Sequence, residues 1–256
     1  MAVQAPAAAA GPLAGRRVAV TGASGRLGQA LLRRLHAAGA TLVALTSRQR
    51  PLELHDPTGA RIPLETVAWQ CGEEEALQPL LSRCDVLILN HGVNVHGDGS
   101  AAAVQRSLQV NALSSWRLLE LFAAAAGEES AHGREVWVNT SEAEIQPAFS
   151  PLYEISKRLL GELVSLRAPA LAAEGVRVRR LVLGPFRSEL NPIGLMDADW
   201  VAGAIVWQAQ FGLGLIIVTP NPITYLLMPV VALMRWLYGR LLIQRQPLTT
   251  QLSRGR

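Results

Sequence analysis

Short apolar runs alternate with helical segments along almost the whole chain, and this alternation constrains the fold more than any other feature of the sequence. The runs are bounded by Gly, Asp or Asn and read RVAVT, TLVALT, ETVAW, DVLILN, EVWVNTS, RVRRLVL and GLIIVT. Between them lie segments with the spacing of amphipathic helices, at residues 27–38, 74–81, 102–126, 151–173 and 197–210. Strands this apolar need cover on both faces, so the pattern predicts a parallel sheet with right-handed helical crossovers.

The length of the chain suits one large domain. Its 256 residues are 50% hydrophobic, which is enough for an α/β domain with a substantial core. We therefore predict a Rossmann-like, doubly wound parallel sheet of about seven strands, with helices on both faces and a hydrophobic C-terminal helix. The predicted divisions are a flexible Ala/Pro-rich tail or linker over 1–14, the Rossmann domain over 15–222, the hydrophobic helix over 223–245 and a flexible tail over 246–256.

Charge and cysteine usage exclude several classes of function. The formal charge of +4 and the pI near 9.7 come from arginines scattered along the chain, without the basic block of a nucleic-acid-binding protein. Cys71 and Cys84 lack metal-ligand partners and the spacing of a disulfide framework. This usage predicts no metal site and a reducing, cytoplasmic compartment.

A glycine-rich turn directly follows the first predicted strand. The sequence TGASGRLGQAL places three glycines on this turn and on the opening of the next helix, where backbone N–H groups favour a phosphate. Glycines there let the backbone approach the pyrophosphate of a dinucleotide, although a tight turn without a ligand has the same pattern. The cofactor-binding residues predicted on this turn are Gly22, Ser24, Gly25, Arg26, Leu27 and Gly28.

The end of the second strand indicates which dinucleotide is bound. An acidic residue here would hydrogen-bond the ribose 2′-hydroxyl, whereas a basic residue accommodates a 2′-phosphate. The strand ends in TSRQR, with Ser47 and Arg48 and no acid. NADP(H) is therefore the predicted cofactor. NAD(H) is the alternative, because an arginine here could instead be solvated or stack on the adenine.

The stretch SPLYEISKRLL pairs a phenol with an ammonium at the start of a helix. Ser150 is a good N-cap and Pro151 a good first helical residue, which puts Tyr153 and Lys157 one turn apart on one face. An adjacent ammonium stabilises the phenolate and lowers the pKa of the tyrosine, so that the phenol can exchange a proton. The alternative is a tyrosine packed on the core beside a surface lysine.

After the glycine turn, the motifs LNHGV, VNALS, VNTSEAE and YEISK follow in order. With them the chain resembles the short-chain dehydrogenase/reductase family over residues 16–219, and the resemblance implies a homo-oligomer. It also implies that Tyr153 is the catalytic acid/base and that Lys157 lowers its pKa and holds the nicotinamide ribose. By the same resemblance, Ser141 orients the substrate oxygen and Asn111 helps to position the water of a proton relay.

Several loops depart from the family pattern. Arg26 replaces a glycine, WQCGEEE stands where the family carries an aspartate for adenine, and LGPFRS inverts the usual Pro-Gly order. His91 replaces the alanine of the Asn-Ala-Gly motif, and a buried neutral histidine is a better interpretation than a catalytic one. The short spacing from Ser141 to Tyr153 keeps Thr140 as an alternative hydroxyl. The cofactor contacts predicted in the loops after the fourth and sixth strands are Asn90, His91, Gly92, Pro185 and Ser188.

Three longer stretches carry a finer resemblance: VNTSEAEIQPAFSPLYEISK, LGPFRSELNPIG and TPNPITYLLMP. They are similar to reductase domains linked to sterol-desaturase-like domains in photosynthetic bacteria. This resemblance implies a small hydrophobic substrate of lipid, sterol or isoprenoid type. Residues 189–199 are predicted to form part of its lid, and their mixed apolar character is compatible with many alcohols and ketones.

The C-terminal segment carries information about location. No charged residue occurs from 201 through 234, and ITYLLMPVVALMRWLYGRLLI follows the last predicted strand. The uncharged part that follows Pro222 is shorter than the roughly 20 apolar residues that span a bilayer. Aromatic and basic residues at its end predict a helix lying on an anionic lipid surface, namely Arg235, Trp236, Tyr238, Arg240 and Arg245. A helix buried against the sheet or a partner subunit is the alternative.

These features predict an enzyme. The expected function is an NADP(H)-dependent oxidoreductase that transfers a hydride between nicotinamide and a carbonyl or secondary alcohol of a hydrophobic substrate. A dinucleotide-binding regulatory module is one alternative, but it has no need of the acid/base pair of Tyr153 and Lys157. An epimerase or dehydratase that reuses its bound cofactor is another. The short C-terminal segment argues against it, because sugar-nucleotide enzymes of that kind usually carry a larger substrate domain.

Overall fold

The computed structural model describes residues 11–125 and 133–239. They form a parallel sheet in the order β3-β2-β1-β4-β5-β6-β7. Its strands are β1 (Arg17–Thr21), β2 (Thr41–Thr46), β3 (Leu64–Ala68), β4 (Val86–Leu89), β5 (Arg134–Asn139), β6 (Val176–Leu183) and β7 (Leu215–Val218). Because the strand order reverses between β1 and β4, a crevice opens there at the carboxyl ends of the strands.

Helices cover both faces of the sheet. They are α1 (Arg26–Ala37), α2 (Gln78–Leu81), α3 (Ala101–Leu108), α4 (Ser114–Ala124), α5 (Pro151–Ala173), α6 (Ala198–Gln210) and α7 (Pro222–Tyr238). α1 and α6 pack together over a core that includes Trp137 and Ile205, whereas α4 and α5 cover the other face over Leu87 and Phe122. The predicted doubly wound fold is confirmed, and each strand lies within two residues of its predicted position.

A π-helical turn interrupts the long helix that the sequence predicts over 102–126. The π-helix Gln109–Leu113 joins α3 to α4, and α4 ends at Ala124. The extra residue in this turn brings Asn111 inward, where its side chain is fully buried. Hydrophobic periodicity averages over several turns and does not reveal one irregular turn.

The folded region begins before the predicted domain boundary. Leu13 is buried in the core on the α1 side of the sheet, and the N–H of Gly15 donates to the carbonyl of Gly39 over 2.9 Å. The tail predicted over 1–14 is therefore wrong for its last residues, because the apolar side chain of Leu13 has a core to enter. Residues 1–10 and the tail predicted over 246–256 lie outside the described residues.

α7 turns few of its apolar side chains towards the domain. Thr224 and Met228 are its buried residues, and Met228 packs on Val182 and Ile217 of the sheet. Its exposed large side chains are Ile223, Tyr225, Leu226, Leu227, Val230, Leu233, Met234, Trp236, Leu237 and Tyr238. Within the described part of the chain, α7 and every other helix are too short or too polar to cross a membrane.

Arg235 does not lie on the outer margin of α7, where the sequence places it. Its guanidinium turns inward and forms ion pairs with Glu144, over 2.8 Å, and with Glu162. The prediction of a basic lipid-facing margin is wrong for Arg235, because a buried carboxylate draws it to the domain. Outside the described residues lie the other predicted basic residues of this margin, Arg240 and Arg245.

Candidate active site

A cleft of about 1110 Å³ opens at the carboxyl ends of the strands. Its volume exceeds the roughly 300–1,000 Å³ of pockets that bind one small molecule, so it has room for a dinucleotide together with a substrate. The predicted site residues in its lining are Gly22, Ser24, Gly25, Arg26, Leu27, Ser47, Arg48, Asn90, His91, Gly92, Ser141, Tyr153, Lys157, Pro185 and Ser188. The predicted residues outside this lining are Gly28 and Asn111.

The turn after β1 makes room for an anionic group through its backbone. Gly22 has a φ of 62°, and a Cβ atom there would lie 2.9 Å from the Cα of His91. A Cβ on Gly28 would lie 2.3 Å from the carbonyl oxygen of Gly22, so α1 packs against the turn only because this residue has no side chain. The start of α1 has no side-chain cap and no acidic residue, which leaves its N–H groups available to a phosphate.

A largely exposed cation follows β2 at the edge of the cleft. The side chain of Arg48 is 59% exposed, and its contact with Glu189 in the predicted lid is long, at 3.9 Å. Its backbone N–H donates to the hydroxyl of Thr46 over 3.1 Å, and that hydroxyl donates to the hydroxyl of Ser24 over 3.0 Å. The backbone of Arg48 is thereby held to the glycine turn, while its guanidinium can reach a phosphate in the cleft.

His91 lines the cleft as a neutral imidazole. Burial, reinforced by the ammonium of Lys157, lowers the pKa of His91 to about 4. Its Nδ1 lies 2.8 Å from the hydroxyl of Thr21, and its ring meets the edge of the Trp69 indole with 5.3 Å between centroids. The half-buried position of the ring and its lowered pKa agree with the interpretation of His91 as a neutral residue. Trp69 and Cys71 stand in the lining after β3, where the family carries its aspartate.

The start of α5 presents the predicted acid/base pair to the cleft. The helix begins at Pro151 as the sequence predicts, and both Tyr153 and Lys157 line the cleft. Ser150 occupies the N-cap position but makes no capping bond. Its hydroxyl donates instead to the carbonyl of His96 over 3.0 Å, which ties the loop before α3 to the start of α5.

Lys157 is the sole lysine of the sequence, since all the others among its 24 lysine and arginine residues are arginines. Its Nζ donates to the carbonyl of Asn139 over 2.9 Å and lies 5.6 Å from the centroid of the Tyr153 ring. Burial lowers the pKa of Lys157 to about 8, and the carboxylate of Glu144 opposes this shift. An arginine cannot titrate in this range, so one amine among arginines is a sequence signal for this site that motif reasoning missed.

The phenol of Tyr153 lies in the cleft in its protonated form. Burial raises its pKa, and the hydrogen bond with the hydroxyl of Ser141 opposes the rise only in part. The ammonium of Lys157 donates to the carbonyl of Asn139, and the expectation that it lowers the pKa of Tyr153 stays a prediction. A protonated phenol at the cleft is suited to donate to a carbonyl oxygen that gains negative charge.

Ser141 is the hydroxyl that accompanies the phenol. Its Oγ accepts from the N–H of Ala143 over 3.2 Å, which fixes it at the start of a 3₁₀ turn after β5. The hydroxyl of Thr140 instead donates to the carbonyl of Leu181 in β6 over 3.2 Å. The hydroxyl of Ser141 also donates to a β6 carbonyl, that of Leu183, over 3.4 Å, but Ser141 is the hydroxyl that hydrogen-bonds the phenol of Tyr153. This bond favours Ser141 over Thr140, the alternative that the spacing left open.

Asn111 lies outside the lining of the cleft, and its expected role in positioning a water stays a prediction. Its Oδ1 accepts from the N–H of Val93 over 2.7 Å, and its Nδ2 donates to the carbonyl of Val93 and to the hydroxyl of Ser156, each over 2.9 Å. These bonds use both N–H donors of its amide. Asn111 thereby fixes the loop after β4 to α5, which carries the acid/base pair.

The loops after β4 and β6 face each other across the cleft. The Oδ1 of Asn90 accepts from the side chain of Asn139 over 2.9 Å, which links the ends of β4 and β5. The Oγ of Ser188 accepts from the N–H of Asn191 over 3.2 Å, within the predicted lid. Both loops thus supply polar atoms to the lining, next to Gly92.

The mouth of the cleft is apolar. Phe149 and Ile193 line it, and their side chains are almost wholly exposed. Leu190 also lines the cleft and belongs, with Ile193, to the segment predicted as a lid. The sequence reasoning missed Phe149, because this residue lies in an irregular loop before α5 where no periodicity indicates a side chain's direction.

A dinucleotide-sized cleft at the switch point of a parallel sheet, with a glycine turn at one end and a tyrosine and lysine at the other, defines a Rossmann-type oxidoreductase site. The family model described as short chain dehydrogenase matches residues 16–193. The chain belongs to the short chain dehydrogenase family, a family of NAD(P)-dependent enzymes.

One relative is a named enzyme. The monoglucosyldiacylglycerol epimerase of Synechocystis sp. is 46% identical over 235 residues, which cover 89% of this chain and 55% of that protein. The chain thus spans about half the length of this curated relative.

Solved structures share the fold at low identity. A short chain dehydrogenase from Burkholderia cenocepacia in complex with NADP matches with a TM-score of 0.72 and 20% identity, covering 92% of this chain and 99% of that one. A short-chain dehydrogenase from Sphingobium yanoikuyae in complex with NADPH matches with a TM-score of 0.68 and 17% identity, over 91% and 99% of the chains. At such identities the likeness shows the fold alone.

Proposed function

We propose that this chain is an NADP(H)-dependent oxidoreductase that transfers a hydride between nicotinamide and a carbonyl or secondary alcohol of a hydrophobic, lipid-like substrate. The observation that carries the proposal is the convergence of Tyr153, Ser141 and Lys157 in the same cleft as the glycine turn. A binding module would gain nothing from burying the only lysine beside a tyrosine, because burying an amine lowers its charge and costs stability.

The residues of the cleft fit a phosphorylated dinucleotide. Gly22 and Gly28 let the turn pack closely against the loop after β4 and against α1, and the uncapped first turn of α1 leaves N–H groups for a pyrophosphate. Arg48 supplies a cation for a 2′-phosphate at the edge of the same cleft. Two of the structurally similar dehydrogenases were solved in complex with NADP or NADPH, which agrees with this choice. When bound, the cofactor accepts a hydride from, or gives one to, the carbon of the reacting group.

The proton is moved by the chain's own residues. In the reduction direction, the protonated phenol of Tyr153 gives its proton to the substrate oxygen while the hydroxyl of Ser141 holds that oxygen. In the oxidation direction, the phenol must first lose its proton, and the ammonium of Lys157, 5.6 Å from the ring centroid, stabilises the anion. The carbonyl of Asn139 keeps that ammonium in place.

Epimerisation is the second candidate, and the named relative favours it. Oxidation of one ring hydroxyl of a glucosyl lipid to a ketone, followed by reduction from the opposite face, inverts that carbon. The substrate loses and regains one hydride and one proton, so no net oxidation or reduction occurs. Tyr153 would take the hydroxyl proton in the first half and return it in the second, and the apolar mouth at Phe149 and Ile193 would contact the lipid part.

A titration followed by turnover assays tests both candidates. Fluorescence titration should show tighter binding of NADPH than of NADH, and Arg48→Ala should weaken NADPH binding about tenfold or more while leaving NADH binding unchanged. Turnover is then measured with hydrophobic ketones and with monoglucosyldiacylglycerol. Stoichiometric consumption of NADPH identifies a reductase, whereas sugar inversion without net consumption identifies an epimerase. Tighter binding of NADH, or no turnover of any kind, would overturn the proposal.

We further propose that α7 rests on a lipid surface next to the cleft. Its start is bonded to the loop that lines the cleft, since the side chain of Gln146 accepts from Asn221 over 2.6 Å and donates to Thr224 over 2.7 Å. The exposed apolar side chains of α7 therefore lie near the apolar mouth. Two free thiols agree with an attachment on the reducing, cytoplasmic side of a membrane.

Flotation of the full chain with vesicles of equal parts phosphatidylglycerol and phosphatidylcholine tests this attachment. The chain should float with the vesicles, and the double variant Leu226→Glu/Leu233→Glu should not. Phe211→Glu, which changes an exposed aromatic residue just after α6, should float like the natural chain. A chain that stays in the aqueous fraction contradicts the proposal, and so does a stable dimer that only the double variant dissociates, because a second copy would then cover α7.

A further inference from the structure

A buried carboxylate lies between the acid/base pair and the C-terminal helix. Glu144 follows Ser141 in the 3₁₀ turn after β5, and its side chain is fully buried. Its Oε2 accepts from Arg235 of α7 over 2.8 Å and lies 3.6 Å from Arg180 of β6, while its Oε1 is buried without a hydrogen-bond partner. A buried carboxylate with one oxygen that lacks a hydrogen bond destabilises the fold, which indicates that this carboxylate has a role other than stability.

α5 is built to receive this carboxylate. A Cβ on Gly161 would lie 1.9 Å from the Oε2 of Glu144, so the helix has a glycine where the carboxylate enters. Gly161 is four residues after Lys157 and therefore lies one turn further along the same face of the helix. The carboxylate consequently packs against the face of α5 that carries the only lysine.

We propose that Glu144 is a positioning residue that keeps the amine of Lys157 in its charged form, and that Arg235 makes α7 part of this arrangement. The inference concerns the charge state of one amine, and it rests on the proposed function only for its effect on turnover. A charged amine is the form that stabilises a phenolate on Tyr153 and that donates to the carbonyl of Asn139.

The signs of the charges around the Lys157 amine and the Glu144 carboxylate agree with the proposed role of Glu144. Tyr153, His91 and Glu144 are the titratable groups that face Lys157, and Glu144 is the one that favours its charged form. His91 is neutral at working pH. Facing Glu144 are two cations, Arg180 and Arg235, and Glu162 lies on the exposed side of Arg235. Burial lowers the pKa of Lys157 to about 8, so even a modest change in the surrounding charge alters its protonation near neutral pH.

The single lysine makes a direct measurement practicable. Carbon-13 lysine labelling gives one side-chain signal for the whole protein, and its titration reports Lys157 without any cofactor or substrate. In Glu144→Gln the titration midpoint should fall below that of the natural chain, and each unit of the fall reduces the charged-to-neutral ratio about tenfold. Glu162→Gln is the matched control, because it removes the exposed carboxylate partner of the same arginine. Its midpoint should not move.

Two further variants protect the test against loss of folding. Glu144→Asp keeps the negative charge and should keep the midpoint near that of the natural chain. If both Glu144 variants change the midpoint equally, the effect is one of packing and the proposal is overturned. Arg235→Gln removes a cation from the cluster and should raise the midpoint. An unchanged midpoint in this variant overturns the part of the proposal that concerns α7.

Turnover measurements keep the two proposals apart. If the natural chain turns over, the alkaline decline of kcat should begin at lower pH in Glu144→Gln, with about a threefold lower kcat at pH 9 for each half unit of displacement. If the midpoint falls but no substrate is converted, the proposed function fails and the role of Glu144 stands. If Glu144→Gln leaves the midpoint unchanged, the role of Glu144 fails whatever the enzyme does.

Discussion

Two buried charge clusters stand on opposite faces of the sheet. The amino-edge cluster consists of Arg16, Glu135 and Arg179. The carboxyl-edge cluster consists of Glu144, Arg180, Arg235 and Lys157. Arg179 and Arg180 are consecutive in β6 and project to opposite faces, so one strand serves both clusters.

In the amino-edge cluster both carboxylate oxygens of Glu135 are bonded, while the buried Nε of Arg16 has no hydrogen-bond partner. Glu135 accepts from Arg16 over 3.1 Å, from Arg179 over 2.5 and 3.1 Å, and from the indole N–H of Trp137 over 2.9 Å. Burial raises the pKa of Glu135, but the bonds from Arg179 and Trp137 outweigh burial and bring the pKa down to about 2. In the carboxyl-edge cluster, by contrast, one oxygen of Glu144 has no hydrogen-bond partner and Lys157 is partly neutralised by burial. The two clusters therefore differ in their carboxylates: both oxygens of Glu135 are bonded, whereas one oxygen of Glu144 is not.

The largest expected effect removes the proton donor beside the carboxyl-edge cluster. In Tyr153→Phe, kcat should fall by roughly 10²–10⁴-fold while thermal stability stays nearly the same, because only the acid/base group is lost. The measurement is steady-state turnover with the best substrate of the panel. Tyr225→Phe is the control, since its hydroxyl donates only to the carbonyl of Thr219, over 3.3 Å, and its kcat should be unchanged. Full activity in Tyr153→Phe would remove this tyrosine from the mechanism.

The amino-edge cluster should show the reverse behaviour. Glu135→Gln leaves two buried arginines without a counter-charge, so the free energy of unfolding should fall by about 3–5 kcal/mol. The kcat of the folded protein should not change. Urea unfolding monitored by circular dichroism gives the stability. Glu174→Gln, which breaks an exposed pair with Arg167, is the control and should cost less than about 1 kcal/mol. A loss of activity without a loss of stability would contradict the division of roles.

A smaller effect is expected where α5 admits Glu144. Gly161→Ala forces the carboxylate to move and should cost about 1–3 kcal/mol of unfolding free energy, in spite of the better helix propensity of alanine. The titration midpoint of Lys157 should also shift in this variant. Gly203→Ala, where the new Cβ would meet Arg34 at 3.5 Å, is a helical control that should be neutral or stabilising. Equal changes in unfolding free energy from the two substitutions would show that the packing of Glu144 against Gly161 does not matter for stability.

The smallest effects are in the pH dependence of stability. Glu135 has a folded pKa of about 2 against an ordinary value of 4.5, so its contribution is complete above pH 4.5 and is lost as the pH falls towards 2. Lys157 has a folded pKa of about 8 against 10.5, so the unfolded state binds more protons in that window and stability rises as the pH rises from 8 to 10.5. Urea unfolding across both windows should show the acid slope reduced in Glu135→Gln and the alkaline slope reduced in Lys157→Met. Unchanged slopes would contradict these assignments.

The sequence predicts what depends on local pattern. Strands, crossover helices, the glycine turn and the start of α5 at Pro151 all follow from spacing over a few residues, and the structure has them where they are expected. The sequence leaves open which hydroxyl accompanies Tyr153, and the structure favours Ser141 because its hydroxyl hydrogen-bonds the phenol.

The sequence does not predict what depends on distant partners. Arg235 is 91 residues from Glu144, and nothing near either residue indicates the other. The core contact of Leu13 and the bonds of Asn111 to the loop at Val93 likewise depend on how the whole sheet is assembled. The family motif predicts that Asn111 positions a water. The structure adds that Asn111 lies in a π-helical turn and that its side chain bonds the loop after β4.

The orientation of α7 has a consequence for how such a domain can diversify. The polar side chains of Thr224 and Arg235 face the domain, and most of the large apolar side chains of α7 are exposed. Mutation can rewrite the outer surface without disturbing these two residues. A few substitutions on the exposed face of α7 could therefore change what this helix contacts while the residues of the cleft stay the same.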